Sequence, residues 1–526
     1  MGEPIFINEL KRHLGNDAIE AFEVNCDEIH ARVAPGDFKK ACLFAHKRLH
    51  APVAALFAAD ERTQRNAFDI FCVFLSTEFR KWFVIVTAVD PVSPRFDSLA
   101  KDMFSASLFE RQISEMFGIE PLGSPDTRRL NLHDEVWPQG WYPLRKDFSL
   151  QQAKEGSYRP YVFNHVSGVG IFEVPVGPVH AGIIGPGHFR FSAAGEPIVN
   201  LEARLGFTHR GIEKIMEGSS VIQALKISEC VCGDSAFAHG WAFCNAVEKI
   251  CSANIPAEAV YARVICLELE RLYNHVNDIG GMATDVSFSF PAQFASSIKE
   301  NILALNERLT GSRYLKNFNC VGGVTKCFQK LELRGLSETL KKIDRDIFQL
   351  EGMLFGSVSF MDRLDDTGVL RKNTAEDLGA VGLVARASGI GVDLRKIFSR
   401  FYQEAGFVMA KDENGDALSR LKIRFREARE SSRLISFFSK KLIDYDGSLC
   451  VDAVPCQGFA IGAVEAWRGQ VLYWVRINNG IIERCKIVDA SFHNWPALSF
   501  AVLGNIIPDF PLCNKSFDLS YAANDL

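Results

Sequence analysis

Glu229-Cys-Val-Cys232-Gly-Asp234-Ser235-Ala-Phe-Ala-His239 is the stretch of this 526-residue chain on which the rest of the reading turns. A thiol, a hydroxyl and an imidazole recur at i, i+3 and i+7, a spacing that puts Cys232, Ser235 and His239 on one side of a helix. Phe237, Trp241, Phe243, Val247 and Ile250 supply an apolar face, so the segment is predicted to open a buried helix. One thiol, one hydroxyl and one imidazole fall short of a closed zinc site, which normally takes four cysteine or histidine ligands. Read alone, the stretch lines a polar cavity.

The chain around it is globular in composition. At about 150 residues per domain, its 526 residues allow roughly two to four domains with ample core. The apolar fraction is 47% and the mean hydropathy +0.02. A net charge of -5 and the lack of any Lys/Arg-rich run argue against nucleic acid as a partner. Met1 to Arg12 carries Glu3 and Glu9 and no long apolar core, so it does not read as a signal peptide. Phe83–Val89 and Phe459–Val464 are apolar but far shorter than the ~18 residues a spanning helix needs. The expectation is a protein that is soluble or peripheral to a membrane. Its 14 cysteines are scattered, and buried cytosolic thiols are the expected state. No Cys-x-x-Cys pair occurs, and Cys230-x-Cys232 does not supply the four ligands of an iron–sulfur cluster.

The order of elements predicts an α+β chain in two blocks. Residues 1–148 are a mixed α+β module: Phe68–Leu75 and Phe83–Val89 read as paired strands, Ser76–Lys81 as the hairpin connection, and Leu108–Phe117 as an amphipathic helix. Residues 149–170 are polar, contain Gly156, Pro160, Gly168 and Gly170, and read as a linker. Residues 171–526 open with short β elements and turn mainly helical. The clearest helix is Glu258–Asp278, with Ile265, Leu269, Leu272, Val276 and Ile279 as its buried stripe. Glu268, Arg271 and His275 share another face and are expected to form an internal ion-pair network rather than a catalytic group.

Several motifs carry a family resemblance. Phe109-Glu110-Arg-Gln112-Ile-Ser-Glu115-Met-Phe117-Gly118, Pro125-Asp126-Thr-Arg128-Arg129 and Tyr142-Pro143-Leu-Arg145-Lys146-Asp147-Phe148 resemble the small peripheral-arm subunit of respiratory complex I. The chain departs from that pattern at Gln112 and Glu115. A solvated helix face with a basic exit loop is the bland reading of these charges. From Gly177-Pro-Val-His180 to Gly185-Pro-Gly-His188-Phe-Arg190, the second block resembles the large subunit of group 4 membrane-bound [NiFe] hydrogenases and the quinone-site subunit of complex I. The likeness continues through Arg204–Lys214, Cys232, Arg386-Ala-Ser388 and Glu465-Ala-Trp467-Arg468-Gly469 to the tail, Asp518-Leu-Ser520-Tyr-Ala-Ala523.

In that family, Cys232, Ser235, Ser520 and Ala523 fall where four thiolates hold nickel. Soft sulfur is what such a centre needs, and only Cys232 provides it. Gly185 stands where hydrogenase relatives usually carry a glutamate beside the metal. The tail segment Asp509–Ser516 is expected to bring Cys513 and Lys515 near the same place. The resemblance also implies that a maturation extension is dispensable, since the chain ends at Leu526. What it leaves is a cavity lined by Asp234, His239 and Arg386, with His180 or His188 as donor to a quinone headgroup. The implied cofactors are none in this chain, a quinone as candidate ligand, and a [4Fe–4S] cluster on a neighbouring small subunit. The implied partners are that iron–sulfur subunit and membrane-embedded subunits, at the cytoplasmic face of the membrane. With no strand-linked Gly-x-Gly-x-x-Gly, NADH and flavin would bind on other chains. Three readings follow: a redox or coupling subunit with a quinone or proton site, a redox-inactive structural subunit of an ion-transport complex, and a hydrogenase with altered ligands.

Overall fold

Phe68–Ser76 and Lys81–Val89 pair as the antiparallel hairpin that their β-branched and aromatic content predicts. The computed structural model describes residues 5–15, 19–149, 159–181, 184–452 and 457–526. Gly156 and much of the expected linker lie outside those residues, as do Gly182 and Cys456. The hairpin strands belong to a five-stranded sheet with spatial order β1 (Glu20–Asn25), β2 (Glu28–Arg32), β5 (Lys81–Val89), β4 (Phe68–Ser76) and β3 (Val53–Asp60). Its neighbours are antiparallel except β2 and β5.

All of β3 and β4 is buried, so both faces of this sheet are covered. On one face Phe83 meets Phe6 of the Ile5–Leu14 helix at 4.3 Å between ring centroids. On the other, Phe57 and Phe71 stack across the β3–β4 pair at 4.9 Å, and each lies 5.0 Å from Trp474. Trp474 belongs to the second block. It sits in an antiparallel meander of Gly458–Glu465, Gln470–Asn478 and Ile481–Val488. Period-two alternation sends Ile461, Leu472 and Trp474 into the core of the first block, and Val471, Tyr473 and Val475 into that of the second. One hydrophobic core therefore crosses the boundary between the blocks.

The charged helix of the first block is internal rather than a solvated face, with Glu110, Gln112 and Glu115 buried, while Lys146 and Asp147 of the exit loop are exposed. Glu110 accepts from Ser98 Oγ at 2.7 Å and Leu99 N at 2.5 Å. Glu115 accepts from the amides of Leu130, Asn131 and Leu132 at 2.8–3.2 Å. Buried carboxylates here hold loops by their backbone donors. At the end of the polar stretch, Tyr161 donates its hydroxyl to Glu202 at 2.8 Å and lies beneath the guanidinium groups of Arg128 and Arg204.

Helices Ala257–Asp285, Ser289–Thr310, Lys330–Phe355 and Ala417–Leu442 pack as a bundle, and the first is covered on its other side by helices Ala236–Ile250 and Phe510–Phe517. Ile265, Leu269, Leu272, Val276 and Ile279 are fully buried, as their spacing predicts. The helix runs on to Asp285, past the expected end at Asp278. Being surrounded, it must pair its polar residues internally. Glu268 bonds Arg271 at 3.1 Å, and His275 Nε2 lies 2.9 Å from Glu427. No described helix is long and apolar enough to cross a membrane.

Candidate functional site

Cys232 and Ser235 precede the helix instead of opening it. The helix runs Ala236–Ile250 with Ser235 at its N-cap, and Cys232-Gly-Asp-Ser235 is a turn. The reason lies at the helix start: Phe237 N and Ala238 N donate to Glu270 at 2.8 and 3.1 Å. Burial raises the Glu270 carboxyl to about 8. The Asp234 carbonyl is taken by Asn274 Nδ2 at 2.6 Å and Trp467 Nε1 at 3.1 Å. A shared helical face for Cys232, Ser235 and His239 is therefore corrected. His239 is fully buried and faces elsewhere, with Nδ1 2.9 Å from the Tyr473 hydroxyl and Nε2 3.4 Å from Asp489.

Cys232, Ser235 and Ser520 do come together, around a cation. The Cys232 thiol lies 2.9 Å from Asp234 Oδ1 and 3.2 Å from Ser520 Oγ. Arg468 donates from both terminal nitrogens to the two oxygens of Asp234 at 2.8 Å each, and Nη1 stands 3.8 Å from Cys232 Sγ. Arg468 Nε donates to the Asp518 carbonyl, and Nη2 lies 3.5 Å from the Asp518 carboxylate. A single guanidinium thus joins the first box to the tail. Its planar fork matches a carboxylate bidentately, and it lies over the Trp467 ring at 3.9 Å. Burial and the Asp234 charge push the Cys232 thiol far up, despite Arg468. Burial penalises the Asp234 charge, but Arg468 more than offsets it and holds that carboxyl low.

These donors do not fit a nickel centre. Such a centre takes deprotonated thiolates, and of the four positions only Cys232 offers a thiol, with the Arg468 guanidinium standing against it. Ser235 Oγ accepts from Trp467 Nε1 at 3.0 Å, and Ser520 Oγ caps the last helix by accepting from Ala523 N at 3.1 Å. Ala523 is buried and brings no donor of its own. Among the described residues, no group of three or more His, Cys, Asp or Glu is arranged to hold a metal ion.

Behind Arg468 lies a third carboxylate. Asp278, fully buried on the central helix, receives Arg424 Nε at 3.1 Å and has Lys515 Nζ at 3.8 Å. Lys515 bonds Asp518 at 2.6 Å. Burial, then the Asp518 charge, raise the Asp278 carboxyl to about 8, while Lys515 and Arg468 overcome the burial of Asp518 and keep it ionised. Sequence reasoning placed Lys515 near this site but gave Asp278, Asp518 and Arg468 no role. Cys513, from the same tail segment, instead abuts Gly368 and Arg420.

Arg386 sits in the ion-pair network. It bonds Glu427 at 2.6 Å and Glu465 at 2.7 Å, with Asp393 at 3.4 Å, and is fully buried. Arg395, Arg271 and Glu268 complete the set. Burial lowers His275 to about 4 despite Glu427, so it is neutral. His180 and His188 both spend a ring nitrogen on the loop: His180 Nε2 lies 2.7 Å from Gly187 O, and His188 Nδ1 3.3 Å from Gly177 O. His188 Nε2 is buried and has no hydrogen-bond partner among the described residues. Gly185 and Gly187 have no side chain because Tyr521 fills the space; a Cβ on Gly185 would meet its ring at 2.8 Å.

Comparison with known proteins bears on this geometry. Residues 31–154 match the family of the respiratory-chain NADH dehydrogenase 30 Kd subunit, 210–278 that of nickel-dependent hydrogenases, and 278–455 that of the NADH dehydrogenase 49 Kd subunit. Formate hydrogenlyase subunit 5 of Escherichia coli is 30% identical over 484 residues, covering 90% of this chain and 84% of the relative. Hydrogenase-4 component G of the same organism is 30% identical, covering 89% and 83%. NADH-quinone oxidoreductase subunit 4 of Thermus thermophilus is 28% identical, covering 66% and 92%. With both halves matched in order, the chain belongs to the family of fused hydrogenase and complex I subunits that includes formate hydrogenlyase subunit 5 and hydrogenase-4 component G.

Proposed function

We propose that this chain is the large subunit of a membrane-associated, hydrogenase-related oxidoreductase complex in which the former nickel position has become a proton-holding cluster. The observation that carries the reading is Arg468, whose guanidinium binds Asp234 and Asp518 and stands against the one remaining thiol. A fixed cation in that place compensates the acidic residues that both boxes contribute. Burial and the Asp518 charge raise the Asp278 carboxyl to about 8, so this buried group would take up and release a proton near neutral pH.

Electrons would arrive from a [4Fe–4S] cluster on a small subunit, and membrane-embedded subunits would complete the complex at the cytoplasmic face. The cluster reading needs no metal in this chain. A quinone acceptor is the second reading, favoured by one feature: the buried Nε2 of His188 in the glycine loop, which has no partner among the described residues. The deciding experiment is purification of the intact complex, with nickel and iron measured per chain and hydrogen uptake assayed beside quinone reduction. The proposal expects no stoichiometric nickel and no hydrogen turnover. Nickel at one per chain with hydrogen uptake would overturn it. Quinone reduction lost in His188→Phe would make the loop, not the carboxylate pair, the working site.

A further inference from the structure

We infer that Cys320 and Cys450 form an oxidisable dithiol, a modification site that shares no residue with the former metal position. Their sulfur atoms lie 3.3 Å apart although 130 residues separate them in sequence. A disulfide needs about 2.05 Å, so roughly 1.3 Å of movement closes the bond. The backbone already fixes the approach. Val324 N donates to Leu449 O at 3.0 Å and Val451 N to Gly322 O at 3.1 Å, bracketing the pair from both sides. Gly323 bridges Cys450 directly, and its lack of a side chain permits this, since a Cβ there would meet the Leu449 carbonyl oxygen at 2.0 Å.

The hairpin bearing Cys320 is anchored in turn. Arg263 Nη2 donates to Cys320 O and Gly323 O at 2.8 Å each, and Gly322 N donates to Glu248 at 2.9 Å. The thiols are therefore presented by a rigid frame. Of the two, Cys450 is exposed and Cys320 partly covered. Burial and the neighbouring Cys450 raise the Cys320 thiol to about 12. Cys450 is thus the sulfur that an external reagent meets first.

The oxidant is a low-molecular-weight disulfide. Cys450 thiolate attacks one of its sulfur atoms, forming a mixed disulfide and releasing one thiol. Cys320 then loses its proton, attacks Cys450 Sγ and expels the second small thiol. Two protein thiols become one disulfide, and the reagent's disulfide is reduced to two thiols. The new bond closes a loop that contains the Lys330–Phe355 and Ala417–Leu442 helices, which restricts the unfolded chain.

The test treats the full chain, in its complex, with oxidised glutathione and maps peptides without reduction. The expected product is a Cys320–Cys450 cross-linked peptide, absent in Cys320→Ser and in Cys450→Ser and retained in Cys327→Ser, with Tm raised by several degrees and restored by dithiothreitol. A glutathione adduct that persists on Cys450 would overturn the inference. So would a cross-link to exposed Cys327 in equal yield, or stoichiometric zinc that protects both thiols.

Discussion

Replacing Arg468 with methionine keeps the length of the side chain and removes the charge that joins the two halves of the site. The guanidinium is 5% exposed, its partners Asp518 and Asp234 19% and 39%. Breaking a fully buried pair costs about 3–5 kcal/mol. Water reaches Asp234, so screening reduces this to about 2–3 kcal/mol. At about 2.1 cal/mol/K per residue, unfolding of 526 residues carries about 1.1 kcal/mol/K, and Tm falls by roughly 2–3 °C. Asp234→Asn alone removes one arm of the contact and costs about 1 kcal/mol. Because the second substitution finds the contact already gone, the double variant loses no more than Arg468→Met, a coupling of about 1 kcal/mol. Hydrogen exchange adds a local readout: amides of Ser520–Leu526 exchange faster in Arg468→Met, since Arg468 no longer holds Asp518. Strictly additive losses, with tail protection unchanged, would refute the clamp.

The remaining predictions concern the groups behind it. Asp278 has a raised carboxyl pKa in the folded chain, so its ionisation opposes folding: stability is greatest below its ordinary range near 4 and is lost as pH rises toward about 8. Thermal unfolding across that window is expected to show a falling Tm in the parent and a shallower fall in Asp278→Asn, and parallel curves would dismiss the assignment. Arg386→Met leaves Glu427 and Glu465 facing each other without their shared cation, at a cost of about 3–5 kcal/mol. Soluble yield and Tm should drop further than for Arg468→Met, and an equal or smaller drop counts against a structural role. Gly185→Ala drives a methyl group into the Tyr521 ring and should destabilise by about 1–3 kcal/mol. The added change Tyr521→Leu should recover part of that loss; failure to recover would mean the loop, not the ring, is strained.

Two strands of the five-stranded sheet were legible. Phe68–Ser76 and Lys81–Val89 carry β-branched and aromatic residues around a polar turn, and local preference alone reads them. The central helix was legible for the same kind of reason, a sustained apolar period from Ile265 to Ile279. The 458–488 meander was not, because each of its strands is buried on both faces and shows no alternation that separates strand from buried helix. At the site, the loss of sulfur was readable from residue type. The replacement by Arg468 was not, since its partners Asp234 and Asp518 lie far from it in sequence, on other elements. The helix start was misplaced for a related reason: Glu270, distant in sequence, takes the amides that would otherwise have continued the helix back to Cys232.

The packing of Trp474 against the stacked rings of Phe57 and Phe71 has a consequence for how such chains are built. Neither half owns a complete interior, so a polypeptide cut at the junction exposes a broad oily surface on both pieces. Where the halves are separate products, their encounter depends on dilution. Tethering replaces that encounter with an internal one at roughly millimolar local concentration, and the pairing then survives at any expression level.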